Sequence, residues 1–285
     1  EVCCDSVDSA LVAIESGADR LEFCSALEIG GLTPSVGLLS RACHFASKDT
    51  VPVHCLIRCR GGDFCYTDDE IDVMLDDVRA ASQCGAAGVV FGALTPDAEV
   101  DLRNTGKVVD LAHSLSMTVT FHRAFDQCRD MLTSLDRLIA LHVDRVLTSG
   151  GAATAISGTS MIARGVNKGS LRGAPLVVMA GCGVSKDNVL DIVQSTGVCE
   201  VHGSFQEPRP TKMSSENPNV VFSNARLTSR EHVNAVMATE GAEDSRFSLR
   251  KKNNGQSNHA SRKKSYGVVS PVDPLLRDEL ALFQA

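Results

Sequence analysis

The chain has no CxxC pair, no apolar run of about 18 residues and no excess of basic charge, and each absence removes a class of protein. Without closely paired cysteines, a zinc ribbon and a thioredoxin-type motif are excluded. The eleven cysteines present are at positions 3, 4, 24, 43, 55, 59, 65, 84, 128, 182 and 199. Their number is odd and most lie in apolar runs. That argues against a disulfide framework and for small, buried, reduced side chains in a cytosolic protein. Without a long apolar run, no segment reads as a membrane span. A formal net charge of -7 gives no broad basic surface, so nucleic acid is not an expected partner. No signal-peptide pattern is visible at the start, which is Glu1 rather than Met. No GxGxxG follows the first apolar run, which slightly weakens a doubly wound open sheet.

What is present is an alternation of short apolar runs with amphipathic stretches. Runs that read as strands are Glu1–Cys3, Arg20–Cys24, Val51–Arg58, Gly88–Phe91, Met117–His122, Arg145–Leu147, Pro175–Met179 and Cys199–His202. Helical patterns separate them. Ser6 is a suitable N-cap for the first, and Thr67-Asp-Asp-Glu70 reads as a capping box for the third. Units of roughly 25–30 residues predict a parallel sheet covered by helices. Eight units in about 205 residues match a TIM-type (β/α)8 barrel, an α/β fold whose usual range starts near 200. The domain expected is therefore 1–206. Residues 207–265 are rich in Ser, Asn, Glu, Lys, Arg and Pro, and read as a long polar insertion with little fixed structure. Its Arg250-Lys-Lys and Arg262-Lys-Lys clusters read as a solvated tail or a nuclear-import signal. Helical spacing returns at Val272, Leu275, Leu276, Leu280 and Phe283, so 272–284 is the expected last helix.

Three of the strand-like runs carry a paired motif: Glu1-Val-Cys3, Glu22-Phe-Cys24 and Glu200-Val-His202. Residues two apart on a strand share a face, so each run aims a carboxylate and a metal-ligand type to one side. A carboxylate facing a sheet interior is costly unless paired, protonated or bound. In a TIM-type barrel the active site lies at the C-terminal strand ends. The polar residues gather there, as Arg58 and Arg60, His122 and Arg123, Ser149, Gly181 and Gly183, and Glu200 and His202. Each has a structural alternative. Arg58 and Arg60 could only neutralise Glu1 and Glu22. His122 could be a hydrogen-bonded core residue. Gly181-Cys182-Gly183 could be a tight turn rather than a backbone phosphate site. Cys3 and Cys24, on neighbouring strands, suit a soft ion such as Cu(I), or simply fill a crowded layer.

The segments EVCCDSVDSALVAIESGADRLEFC, GGLTPS, IRCRGGDFCYTDDEI, GVVFGAL, TVTFHRAFD, RVLTSGG, MAGCGV and EVHGS together resemble the CutC family of copper homeostasis proteins, over about 1–204. The resemblance implies a TIM-type barrel, a cytoplasmic location with the nucleus also open, a homo-oligomer and a role in binding or handling copper. The family's proposed copper ligands fall on Cys3 and Cys24. The family usually has proline at Cys59 and glycine at Cys182.

Two functions are therefore expected to compete. One is copper homeostasis, with Cys3 and Cys24 as metal ligands for intracellular Cu(I). The other is an enzyme acting on a small anionic ligand, phosphorylated or carboxylated. There Glu22 or Glu200 would be the acid or base, His122 a proton shuttle and Arg58 an anion clamp. Arg60, Arg123, His202, Ser149, Gly181 and Gly183 would contact substrate.

Overall fold

The structure is a computed structural model that describes residues 1–171, 176–209 and 226–240. Strands and helices alternate in the order β1 (Val2–Cys4), α1 (Val7–Glu15), β2 (Leu21–Phe23), α2 (Val36–Lys48), β3 (Val53–Leu56), α3 (Asp68–Gln83), β4 (Gly88–Phe91), α4 (Leu102–Ser114), β5 (Thr118–Phe121), α5 (Met131–Ala140), β6 (Arg145–Thr148), α6 (Thr159–Leu171), β7 (Val177–Gly181), α7 (Val189–Thr196) and β8 (Glu200–His202). All eight strands are parallel and pair in sequence order. A parallel bridge between Val2 and Gly203 joins the last to the first. The Cys3 amide donates to the Gly203 carbonyl (2.9 Å) and the Gly203 amide to the Glu1 carbonyl (3.2 Å). The chain is thus a TIM-type (β/α)8 barrel, and the doubly wound alternative is excluded.

Helix starts follow their capping residues. The Ser6 hydroxyl accepts from the Ser9 amide, and Thr67 with Glu70 forms the expected reciprocal capping box. The main core lies between the outward strand faces and the helices. Phe23, Phe91 and Phe121 fill it from the sheet, with Ile71, Met74, Leu138 and Ile192 from the helices. The inward faces carry a different set, two residues apart on each strand: Glu1 and Cys3, Arg20 and Glu22, His54 and Leu56, Arg145 and Leu147, Glu200 and His202.

The end of the barrel differs from the sequence expectation. Within 207–265, thought to have little fixed structure, β9 (Gln206–Pro208) pairs antiparallel with β10 (Arg226–Thr228), and α8 (Arg230–Glu240) follows. Helix α8 packs against α7 and α1, the place of an eighth barrel helix. It is anchored by buried Val233 and Val236, by the Thr228 amide donating to Ser9 Oγ (3.1 Å) and by an Arg230–Glu15 ion pair. Partly buried Met237 packs against the core beside them. The helix expected at 272–284 and the basic clusters at 250–252 and 262–264 lie outside the described residues.

Candidate functional site

A cavity of about 520 Å³ opens at the C-terminal strand ends. Its polar lining includes Cys3, Glu22, Arg58, His122, Arg123 and His202.

Beneath the cavity is an ion network. Arg20 bridges Glu1 (Nε to Oε2, 2.5 Å) and Glu200 (Nη2 to Oε2, 2.7 Å), and Arg145 also reaches Glu200 (2.9 Å). Burial alone would raise the Glu1 carboxyl, but the hydrogen bond with His202 and the charge of Arg20 hold it well below the usual range. Glu200 is held down in the same way by Arg20 and Arg145, against the effect of its own burial. His202 Nδ1 contacts Glu1 Oε1 at 2.7 Å and lies 4.0 Å from Glu22 Oε2. Burial disfavours its proton, yet Glu22 and Glu1 outweigh that and raise its pKa. With His202 protonated, three carboxylates (Glu1, Glu22, Glu200) face three cations (Arg20, Arg145, His202).

Glu22 stands at the boundary of this network and the cavity. Cys3 Sγ donates to its Oε1 at 3.4 Å, while its Oε2 is buried without a hydrogen-bond partner. Burial raises its pKa. Cys3 Sγ is also 3.9 Å from Cys24 Sγ. One ligand atom each from Cys3, Glu22 and His202 lie within 4.8 Å of one another. Cys24 is fully buried behind Cys3, beneath Gly31, where a Cβ would meet Leu56 Cδ2 at 2.5 Å. The hydrogen bond with Cys24, then burial, then the Glu22 charge push the Cys3 thiol well above its ordinary pKa. A metal taking Cys3 must therefore displace a proton.

His122, just past the end of β5, also lines the cavity. Its Nδ1 accepts from the Ala124 amide (3.1 Å), and its Nε2 is buried with no partner. Burial, reinforced by the Arg58 charge, lowers its pKa to about 3. The ring is therefore neutral near pH 7, with its proton on Nε2. It lies so close to Gly92 that a Cβ there would meet Nδ1 at 2.5 Å. Phe64 covers it, with ring centroids 4.9 Å apart.

The other expected site residues divide. Arg58 lines the cavity but donates to the carbonyls of Ile29, Gly31 and Gly62, leaving Nε unpartnered. Arg123 lines the cavity while paired with Asp126 (2.8 Å) and Ser149 Oγ (3.1 Å). Ser149 itself is buried and donates to the Ala152 carbonyl. Asp126 accepts from the amides of Ser149 and Gly151 and from the Thr148 hydroxyl, so this glycine loop already holds a carboxylate. Arg60 points away and pairs with Glu70 (2.5 Å) and Asp63 (3.2 Å), so it neutralises neither Glu1 nor Glu22. Glu200 belongs to the network below the cavity. Gly181 packs against Leu147, where a Cβ would come to 2.6 Å, whereas Gly183 lines the cavity. Cys182 holds φ at +84°, a conformation that favours glycine, and its Sγ lies 3.2 Å from the Ala153 oxygen.

Sequence reading missed Arg20, Arg145 and His54. Arg20 was accessible in principle: Arg20, Glu22 and Cys24 alternate on one face of a single strand.

A barrel with a polar cavity at its strand C-terminal ends, floored by a buried Cys/Glu/His group, defines the class of protein. The CutC family model matches residues 1–207, and the chain belongs to the CutC family. A CutC-family protein of Vibrio vulnificus (strain YJ016) is 48% identical over 214 residues, covering 75% of this chain and 83% of the relative. One from Glaesserella parasuis is 45% identical over 215 residues, covering 75% and 85%. The solved structure of a copper homeostasis protein CutC from Streptococcus agalactiae superposes with a TM-score of 0.67 at 29% identity, covering 71% of this chain and 96% of that one. Among the described residues, no helix is long and apolar enough to cross a membrane.

Proposed function

We propose that this CutC-family protein takes part in copper homeostasis by binding Cu(I) through the thiolates of Cys3 and Cys24. The observation that carries this reading is their 3.9 Å sulfur separation. Two sulfurs each about 2.3 Å from one metal, the length of a Zn–S bond, are compatible with that spacing. Soft thiolates and low coordination suit Cu(I). Glu22 and His202 balance charge or supply a third ligand. The location proposed is cytoplasmic and the assembly a homo-oligomer, both resting on the family, and light scattering of the purified chain tests the assembly. The metal assignment is tested by titrating reduced protein with Cu(I) against a competing chelator. The Cys3→Ser, Cys24→Ser double variant should bind more than about 100-fold more weakly, beyond the usual cost of losing an outer-shell partner. Equal binding would overturn the assignment.

A second reading has its own observation. A cavity of about 520 Å³ is within the range of metabolite pockets and far larger than one ion requires. Buried Glu22 Oε2, His122 Nε2 and Arg58 Nε belong to residues that line it and have no hydrogen-bond partner. Such groups are costly unless a ligand completes them. The reading is an enzyme acting on a small anionic metabolite, with Glu22 and His122 at its centre and Arg123 toward the entrance. A thermal-shift screen of phosphorylated and carboxylated metabolites tests it. No stabilising ligand from a broad panel would remove it.

A further inference from the structure

Arg58 and His122 are buried residues of the cavity wall that still hold unspent donors. Arg58 gives N–H groups to the carbonyls of Ile29 (3.1 Å), Gly31 (3.0 Å) and Gly62 (2.9 Å), and its Nε has no partner. Its charge is uncompensated. Arg20, Arg123 and Arg145 each face a carboxylate, whereas the guanidinium of Arg58 meets neutral carbonyls. A buried cation without a counter-charge is costly, so this wall favours an anion. His122 adds a neutral donor. Its Nδ1 accepts from the Ala124 amide, so the ring hydrogen is on Nε2, which has no partner. One aromatic ring holds the two residues side by side: the Phe64 centroid lies 4.9 Å from that of His122 and 5.2 Å from Arg58 Cζ.

We propose that Arg58 and His122 form a subsite for the carboxylate of a small organic acid, whose apolar body lies against Phe64 and the 3₁₀ turn Leu27–Ile29. This rests on the second reading, that the cavity holds an anionic metabolite, and adds the ligand class. Charge selects a monoanion. Arg58 supplies one fixed positive charge and His122 a neutral N–H, while the charge of Arg123 is already met by Asp126. The loops speak against phosphate. TIM-type barrels commonly bind it on the loops after the seventh and eighth strands and at the start of a short extra helix. Here the Ser185 amide after β7 is taken by Asn188 Oδ1, and the Asp187 amide by Ser185 Oγ. After β8 the chain enters β9 rather than a helix. The glycine loop after β6 already holds the Asp126 carboxylate. The apolar body follows from the rest of the wall, where Leu27, Ile29, Leu56, Phe64 and Leu147 line the cavity. Ile29 is 52% exposed, so an apolar group laid against it removes that surface from water. The guanidinium that meets the anion also clasps the Ile29 and Gly31 carbonyls, which ties the charged end of the ligand to the turn that touches its body.

The test is binding to the full chain, reduced and free of copper, by saturation-transfer NMR and calorimetric titration. The probes are 4-methyl-2-oxopentanoate and phenylacetate, with phenylacetamide as an uncharged counterpart and phenyl phosphate as a phosphorylated one. Both carboxylates should bind, and the amide and the phosphate should each bind at least about tenfold more weakly. His122→Asn keeps an acceptor near Nδ1 for the Ala124 amide and removes the Nε2 donor. It should weaken phenylacetate by about 10–100-fold, the loss of one hydrogen bond to a charged group. His122→Gln, which restores an N–H near Nε2, should recover part of that affinity. Arg58→Gln removes the charge and should abolish the preference for acid over amide. Phenyl phosphate bound in preference to both carboxylates overturns the subsite and leaves an anionic metabolite standing. Phenylacetamide bound as tightly as phenylacetate by the wild type overturns it, as does phenylacetate bound equally by wild type and His122→Asn. No binding of either carboxylate overturns the subsite as well, and the second reading then stands or falls on its own metabolite screen.

Discussion

On β1, β2 and β8 the inward positions alternate between Glu1, Arg20 and Glu200 at one level and Cys3, Glu22 and His202 at the next. At the lower level every carboxylate is paired: Arg20 holds Glu1 and Glu200, Arg145 returns to Glu200, and His202 reaches down to Glu1. At the upper level the groups stop short of closure. Glu22 has one oxygen without a partner, and His122 and Arg58 each keep a nitrogen without one. The residue types are similar and the strands largely shared, so residue type and strand position alone do not separate structure from function. Pairing of the carboxylates does: Glu1 and Glu200 are satisfied and Glu22 is not, while His54 Nδ1 beside the lower network also lacks a hydrogen bond. A closed buried network is expensive to breach, whereas an open one invites a ligand.

The largest expected effect breaks the lower level. Arg20→Met leaves Glu1 and Glu200 buried without their shared cation. It should destabilise the fold by about 3–5 kcal/mol, measured by urea unfolding. Glu22→Gln, one pleat away, replaces a carboxylate that is only half satisfied and should change stability by at most about 1 kcal/mol. If the two variants cost the same, the contrast between the levels fails.

A pH series sharpens the same contrast. Burial lowers the pKa of His54 to about 4, and burial with the Arg58 charge lowers that of His122 to about 3. Unfolded histidines take up protons near pH 6.5, so below that pH the unfolded chain binds more protons than the folded one. Each of these residues should therefore cost up to about 1.4 kcal/mol of stability per pH unit as pH falls from 6.5 toward 4. His202 works in the opposite sense. Its folded pKa is raised, so its contribution is present below 6.5 and is lost as pH rises through the folded value. Urea midpoints between pH 4.5 and 8 should show a reduced acid slope in His122→Asn. An unchanged slope would mean that His122 is not held neutral.

The barrel was legible because each unit repeats the same signals. An apolar run ends in polar residues, a cap follows, and a helical face comes next. Cys3, Glu22, His122 and His202 were legible as a cluster because a period of two fixes their common face. Arg58 was legible as a cavity residue but its partners were not, and Arg60 and Ser149 were misplaced, because all three lie where strands pass into loops. There the backbone path decides whether a guanidinium meets a ligand, three carbonyls or Glu70. Helix α8 was missed for a different reason. Its window is rich in polar residues, and a few apolar ones, Val233, Val236 and Met237, mark the side that meets the core.

The copper reading ties Cys3 to proton release. Its thiol is held protonated by Cys24, burial and Glu22, so Cu(I) binding should tighten by about tenfold per pH unit for each proton displaced. Chelator competition at pH 6.5 and 7.5 measures this. In Glu22→Gln the like-charge contribution is gone, so the thiol gives up its proton more readily and affinity should rise at both pH values, while the slope stays because the Cys24 hydrogen bond and burial still keep the thiol protonated near neutrality. An affinity flat in pH would mean that the metal is held elsewhere.

The smallest expected effect lies outside both levels. Arg60 stands only two residues beyond Arg58, yet its part-exposed guanidinium pairs with Glu70 and Asp63 and donates to the Gly61, Asp63 and Cys65 carbonyls of its own loop, away from the cavity. Water and salt screen such a pair, so it contributes little to stability. Arg60→Ala should therefore leave Cu(I) affinity unchanged, and shift the urea midpoint less than any of the buried substitutions. Arg58→Ala removes the support of three carbonyls under the cavity wall and should weaken ligand binding. If instead Arg60→Ala abolished binding while Arg58→Ala did not, the anion would enter along the loop surface and the boundary of the open level would have to be redrawn.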